Sequence, residues 1–85
     1  MKLILCKLCG DVVALRPKQR TCECGASSGR YLGPVKATIA GPCLPIGFLN
    51  RGLKEAIENR PEQGMGAVFT AFVIPKDCET IKTES

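Results

Sequence analysis

Four of the six cysteines fall into two close pairs, Cys6-Lys7-Leu8-Cys9 and Cys22-Glu23-Cys24, separated by twelve residues and each followed by a glycine. Thiolates at this spacing suit a soft divalent cation, because each pair fits one tight turn and two facing turns supply the four ligands of a tetrahedral site. Gly10 and Gly25 can take positive φ, which lets backbone amides turn toward the sulfur atoms. One structural Zn2+ held by Cys6, Cys9, Cys22 and Cys24 is therefore expected. Use of the same cysteines as small reduced core residues fits poorly, since Cys22 and Cys24 lie in an otherwise polar segment (Gln19, Arg20, Thr21, Glu23). A disulfide framework needs an oxidising compartment. The start of the chain, Met1 to Leu5, falls short of the roughly 7 to 15 apolar residues of a secretory signal, so a cytoplasmic protein is expected.

The remaining reactive groups offer little chemistry. The chain has no histidine, so neither a Cys-His nucleophile nor a histidine acid-base pair can be built. It lacks the glycine-rich sequences that cradle phosphates in P-loop and dinucleotide-binding proteins. Cys43 and Cys78 lie outside the paired motif and read as ordinary free thiols. Glu55, Glu58 and Glu62 read as a solvated face. A non-catalytic protein is expected.

The elements that must position the cysteines can be read around them. Lys2 to Leu5 reads as a strand entering the first turn, Asp11 to Arg16 as a β-branched strand ending at Pro17, and Gln19 to Thr21 as its return into the second turn. Together they form a hairpin whose open end carries both cysteine turns. Val35 to Ala40 alternates as a half-buried strand, and Gly41 to Gly47, broken by two prolines, reads as an irregular connection. Asn50 is the expected cap of a helix running to about Arg60, with Leu53, Ala56 and Ile57 on its buried face. Ala67 to Ile74 is the strongest strand signal, apolar on both faces and so in need of cover on both. The tail from Pro75 is expected to fray. No stretch approaches the roughly 20 apolar residues of a transmembrane helix, and no membrane association is expected.

Over residues 1 to about 33 the sequence resembles the four-cysteine members of the zinc-ribbon superfamily, in which the cysteines matching Cys6, Cys9, Cys22 and Cys24 are the zinc ligands. Its second turn departs from the usual pattern, with one residue between cysteines instead of two. The whole chain also looks like small zinc-ribbon proteins of bacteria and their phages, a likeness that implies no activity. The expected fold is α+β: an N-terminal zinc-ribbon hairpin (1–33) continued by a small antiparallel sheet with one helix, a β-α-β extension (34–85) sharing one core with it. Rubredoxin holds iron on similar turns, so an iron electron carrier is the competing reading of the site. Its two CxxCG turns and acidic, aromatic shell contrast with this basic segment, where only Tyr31 is aromatic.

Charge bears on partners. Residues 1–36 carry seven basic side chains against two acidic ones, a net of +5, whereas residues 37–85 carry five against six. Four thiolates around a divalent ion form a dianion, which reduces this to a mild basic bias. Arg16, Lys18 and Arg20 cluster at the expected hairpin tip, where they suit a phosphate backbone or simply keep an exposed hairpin from pairing with other chains. No aromatic residue lies between them to stack on bases. The glycine-containing loops at 25–29 and 64–66 are candidate anion cradles, with Arg30 or Arg51 as counter-charge. The expected partner is nucleic acid or a nucleotide. The alternative is a protein-interaction module, a small regulator or inhibitor docking through the apolar strand face or the irregular 41–48 segment (GPCLPIGF), and the doubly apolar strand also leads to a homo-oligomer being expected.

Overall fold

The computed structural model describes residues 1–84 and arranges them as two four-stranded sheets with one helix. Eight strands are β1 (Lys2–Cys6), β2 (Val12–Ala14), β3 (Arg20–Thr21), β4 (Ser28–Tyr31), β5 (Ala37–Ala40), β6 (Cys43–Phe48), β7 (Ala71–Val73) and β8 (Ile81–Glu84). The helix, α1, spans Asn50–Glu58. The first sheet has the order β2-β1-β6-β7 and is antiparallel throughout. The second has the order β3-β4-β5-β8, antiparallel except for the parallel pair of β5 with β8. Both sheets draw strands from either side of residue 33, so the cysteine-bearing segment and its extension are joined by backbone hydrogen bonds.

The core lies where the sheets meet. Ile4 and Cys6 of β1, Val13 of β2 and Leu15 form one buried cluster with Cys22 and with Ala37 and Ile39 of β5. Two cysteines of the paired motif are thus core members, and the cysteine turns and the hydrophobic core are one structure. Gly29 permits this closeness, because a Cβ there would stand 2.9 Å from Leu15 Cδ2 and 3.0 Å from the Thr38 carbonyl.

Several expectations are corrected. The cysteine turns close two hairpins, not the open end of one: β1 pairs with β2 around the first turn and β3 with β4 around the second. Residues 16–19 link the two sheets. They are fixed there by the Tyr31 amide, which donates to the Arg16 carbonyl at 2.8 Å, and by Arg20 Nη1 donating to the Ala14 carbonyl at 3.1 Å.

The proline-broken connection is instead strand β6, which pairs with β1 on one side and β7 on the other. Pro45 is tolerated because its carbonyl and its missing donor face the β7 side beyond the end of that ladder, where its carbonyl accepts the Ile74 amide at 2.9 Å. The same ladder explains why the strongest strand signal yields only three residues. Phe48 pairs with Ala71 and β6 stops there, so residues before Ala71 have no neighbour to pair with. Ile74 is buried, but Phe72 and Val73 are exposed.

No residue of α1 is buried, and Ile57 is exposed; the expected buried face lies outside the two-sheet core. Leu49, not Asn50, is the N-cap, and the Asn50 Oδ1 accepts the N-terminal ammonium of Met1 at 2.9 Å. Phe69 returns to the end of β6, its ring 5.4 Å from that of Phe48 in an edge-to-face arrangement. The expected fraying tail pairs in parallel with β5 over Ile81–Glu84. Among the described residues, no helix is long and apolar enough to cross a membrane.

Candidate metal centre

Each cysteine turn is locked by its own backbone before any ion is considered. In the first, the Gly10 amide donates to the Cys6 carbonyl at 2.8 Å and the Cys6 amide to the Asp11 carbonyl at 2.9 Å. In the second, the Gly25 amide donates to the Cys22 carbonyl at 3.0 Å and the Cys22 amide to the Ser27 carbonyl at 2.9 Å. Gly10 and Gly25 adopt φ of 75° and 82°, as their positions after each pair led us to expect. The backbone thereby fixes both turns in the folded chain, and the sulfur positions follow from their geometry.

Those four sulfur atoms all lie within 4.8 Å of one another. Cys6 Sγ and Cys22 Sγ stand 3.7 Å and 3.5 Å from Cys24 Sγ. A tetrahedron with metal–sulfur bonds of about 2.3 Å has edges of roughly 3.8 Å, so the cluster has the dimensions of a four-thiolate cage. Cys6 and Cys22 are buried, while Cys9 and Cys24 are exposed, which places one side of the cage in the core and the other at the surface.

The thiols are electrostatically divided. The Ser27 hydroxyl and the Cys9 amide draw Cys6 down to about 6. At Cys22 burial pushes upward, but the Ser27 amide and the neighbouring Cys24 outweigh it and leave the thiol lowered. At Cys24 the Ala26 amide pulls downward, yet Cys22, burial, Cys9 and Cys6 together push it up to about 12. Four sulfurs this close share protons and cannot all ionise together without a cation between them. A soft divalent ion removes that conflict by taking the four thiolates as ligands, and the donor set fits one.

Two supports were not legible in the cysteine motif. The Ser27 amide donates to Cys22 Sγ at 3.3 Å, so this amide of the 25–29 segment is turned inward to the sulfur. Asp11 ties the turns together: its carbonyl accepts the Cys6 amide and its Oδ2 accepts the Glu23 amide at 2.9 Å. Metal affinity is expected to fall about tenfold in Asp11→Ala and to be largely kept in Asp11→Asn, whose side-chain oxygen still accepts. Competition against a chromophoric chelator measures both, and equal affinities for wild type and Asp11→Ala would remove Asp11 from the centre.

The basic residues are not gathered in the same way. Arg16, Lys18 and Arg20 share one exposed stretch. Arg30 is exposed on β4, but the register puts Arg20 on the face of Gly29 and hence Arg30 on the opposite face. Arg51 lies on α1 and is engaged by Glu55, with Nε 3.4 Å from Oε1. Cys43 faces Cys6 across β1 and β6, and burial, its largest influence, raises its thiol, while its Sγ donates to the Ala40 carbonyl at 3.6 Å. Cys78 is drawn down by the Thr80 hydroxyl, 3.3 Å away. None of the family models, curated proteins or solved structures compared with this chain matches it, so the four converging cysteines stand on their own geometry.

Proposed function

We propose that the chain is a non-catalytic binding module organised by one structural Zn2+, with Cys6, Cys9, Cys22 and Cys24 as a zinc-ribbon-like ligand set, and that its exposed 16–20 stretch engages an anionic partner, a nucleic acid or a nucleotide. The observation that carries the reading is the convergence of four sulfur atoms within 4.8 Å on two hydrogen-bonded turns. Zinc suits it better than iron because the 1–36 segment that carries the site is basic and has Tyr31 as its one aromatic side chain. Arg16, Lys18 and Arg20 support the second half through exposure and like charge.

Native mass spectrometry of protein purified under reducing conditions reads the first half, with one zinc per chain expected. Titration with duplex DNA at several salt concentrations reads the second. Three cations contacting three phosphates give a log–log salt slope of about −3, which Arg16→Ala with Lys18→Ala should reduce to about −1. A salt-independent interaction would favour the second reading, a protein-interaction module or self-associating chain. That reading is supported by the exposed apolar side chains of Met65, Val68, Phe72 and Val73 next to the edge strand β7.

A further inference from the structure

Buried hydroxyl groups normally have a hydrogen-bond partner, and an orphaned one marks a missing group or a function. Ser27 is fully buried, at 0% exposure, and its Oγ has no hydrogen-bond partner. It sits at the junction of the metal turns and the core. Its carbonyl accepts the Cys22 amide, its own amide donates to Cys22 Sγ, and Gly41 approaches so closely that a Cβ there would stand 2.9 Å from Ser27 Cα. Cys6, buried to 1% exposure, holds the other inward sulfur of the cage, within 4.8 Å of the Cys22 Sγ that the Ser27 amide already contacts.

A neutral thiol is a weak acceptor, whereas a metal-bound thiolate keeps much of its charge and is a strong one. An orphaned donor beside a buried thiol therefore finds its partner when that thiol becomes a ligand. We propose that Ser27 is a positioning residue of the metal centre, its hydroxyl donating to the metal-bound Cys6 Sγ while its amide donates to Cys22 Sγ. The inference rests on the metal reading above and extends it. One residue then satisfies both buried sulfurs of the cage. Cys9 and Cys24, at the surface, are left to solvent, so the centre has a fixed inner pair and an outer pair through which the ion enters and leaves. Cys43 is turned away to the Ala40 carbonyl, to which its Sγ donates at 3.6 Å.

The test uses the 113Cd-loaded full chain. Scalar coupling between 113Cd and the Ser27 hydroxyl proton, transmitted through Cys6 Sγ, is expected, together with slow exchange of that proton. In Ser27→Ala, release of metal to excess chelator should be about tenfold faster, and the sulfur-to-cobalt charge-transfer band of the Co2+ form should move to lower energy as Cys6 loses its donor. A purely structural role for Ser27 would change stability but leave that band in place. A wild-type protein carrying one cadmium with no such coupling, or a Ser27→Ala protein with unchanged release and unchanged band, overturns the assignment and leaves the metal site intact. Failure of the wild-type chain to take up cadmium at all strikes the metal reading itself. Should Ser27→Ala fail to fold, the coupling in the wild-type protein still decides.

Discussion

Replacing Cys24 by serine, a conservative change at an exposed position, is expected to abolish tight metal binding and to leave the chain largely unfolded at 25 °C. The contrast with ordinary surface chemistry makes this informative. Cys24 contributes nothing to the buried cluster, and a surface substitution away from special features changes stability by no more than about 0.5 kcal/mol. A ligand of a structural ion behaves differently, because the apparent binding free energy of structural zinc, about 10–16 kcal/mol in zinc-finger peptides, is comparable with the whole stability of a small domain, about 5–15 kcal/mol. Cys9→Ser should behave in the same way for the same reason. Cys22→Ser is less diagnostic, since it also places a hydroxyl in the core at 5% exposure. Circular dichroism melts with metal analysis, with and without a strong chelator, read the effect. If Cys24→Ser melts within a few degrees of the wild type and retains its metal, the cage is not a cage.

The chemistry-bearing residues were legible in the sequence because their signal is local. Two cysteines in one turn and a glycine after them specify a conformation with no help from the rest of the chain, and the structure gives both glycines the positive φ their positions imply. What failed was pairing, which depends on partners far away in sequence. Pro45 and its neighbours look like a strand breaker, and only the place where β7 ends makes the missing donor harmless. Ala67 to Ile74 looks like a central strand, yet its length is set by where β6 stops. The α1 pattern of Leu53, Ala56 and Ile57 has the spacing of a buried face, but the sheets already cover each other and leave no layer for it to join. Asp11 and Ser27 were missed at the site for a related reason. Neither residue type is a metal ligand of this class; Asp11 matters only because the fold brings its carboxylate to the Glu23 amide of the other turn, and Ser27 because its segment turns back onto the Cys22 sulfur.

Gly41→Ala provides the second large effect, and it tests how rigidly the metal turn is fastened to the sheet. Gly41 has φ of 94°, and a Cβ built on it would stand 2.0 Å from the Ala26 carbonyl oxygen and 2.9 Å from both the Ala26 carbonyl carbon and Ser27 Cα. All three contacts are backbone, so no side chain can swing aside. The left-handed conformation alone costs a non-glycine residue about 1–2 kcal/mol, and relieving the overlap adds about 1–3 kcal/mol of the kind seen for overpacked cores. A loss of roughly 2–5 kcal/mol is expected. Gly25→Ala is the matching control: its φ is 82° but nothing lies within 4 Å of the added atom, so it should lose only the conformational part. The difference between the two variants isolates the clash. Because the displaced atoms belong to the segment that donates to Cys22 Sγ, Gly41→Ala should also weaken metal binding, although Gly41 is seventeen residues from the nearest ligand in sequence. Denaturant melts of both variants, with chelator competition for the metal, measure the two quantities together. Equal stability and equal metal affinity for Gly41→Ala and Gly25→Ala would mean that the second cysteine turn floats free of the β5–β6 connection, and the coupling of core to metal centre described above would then be wrong.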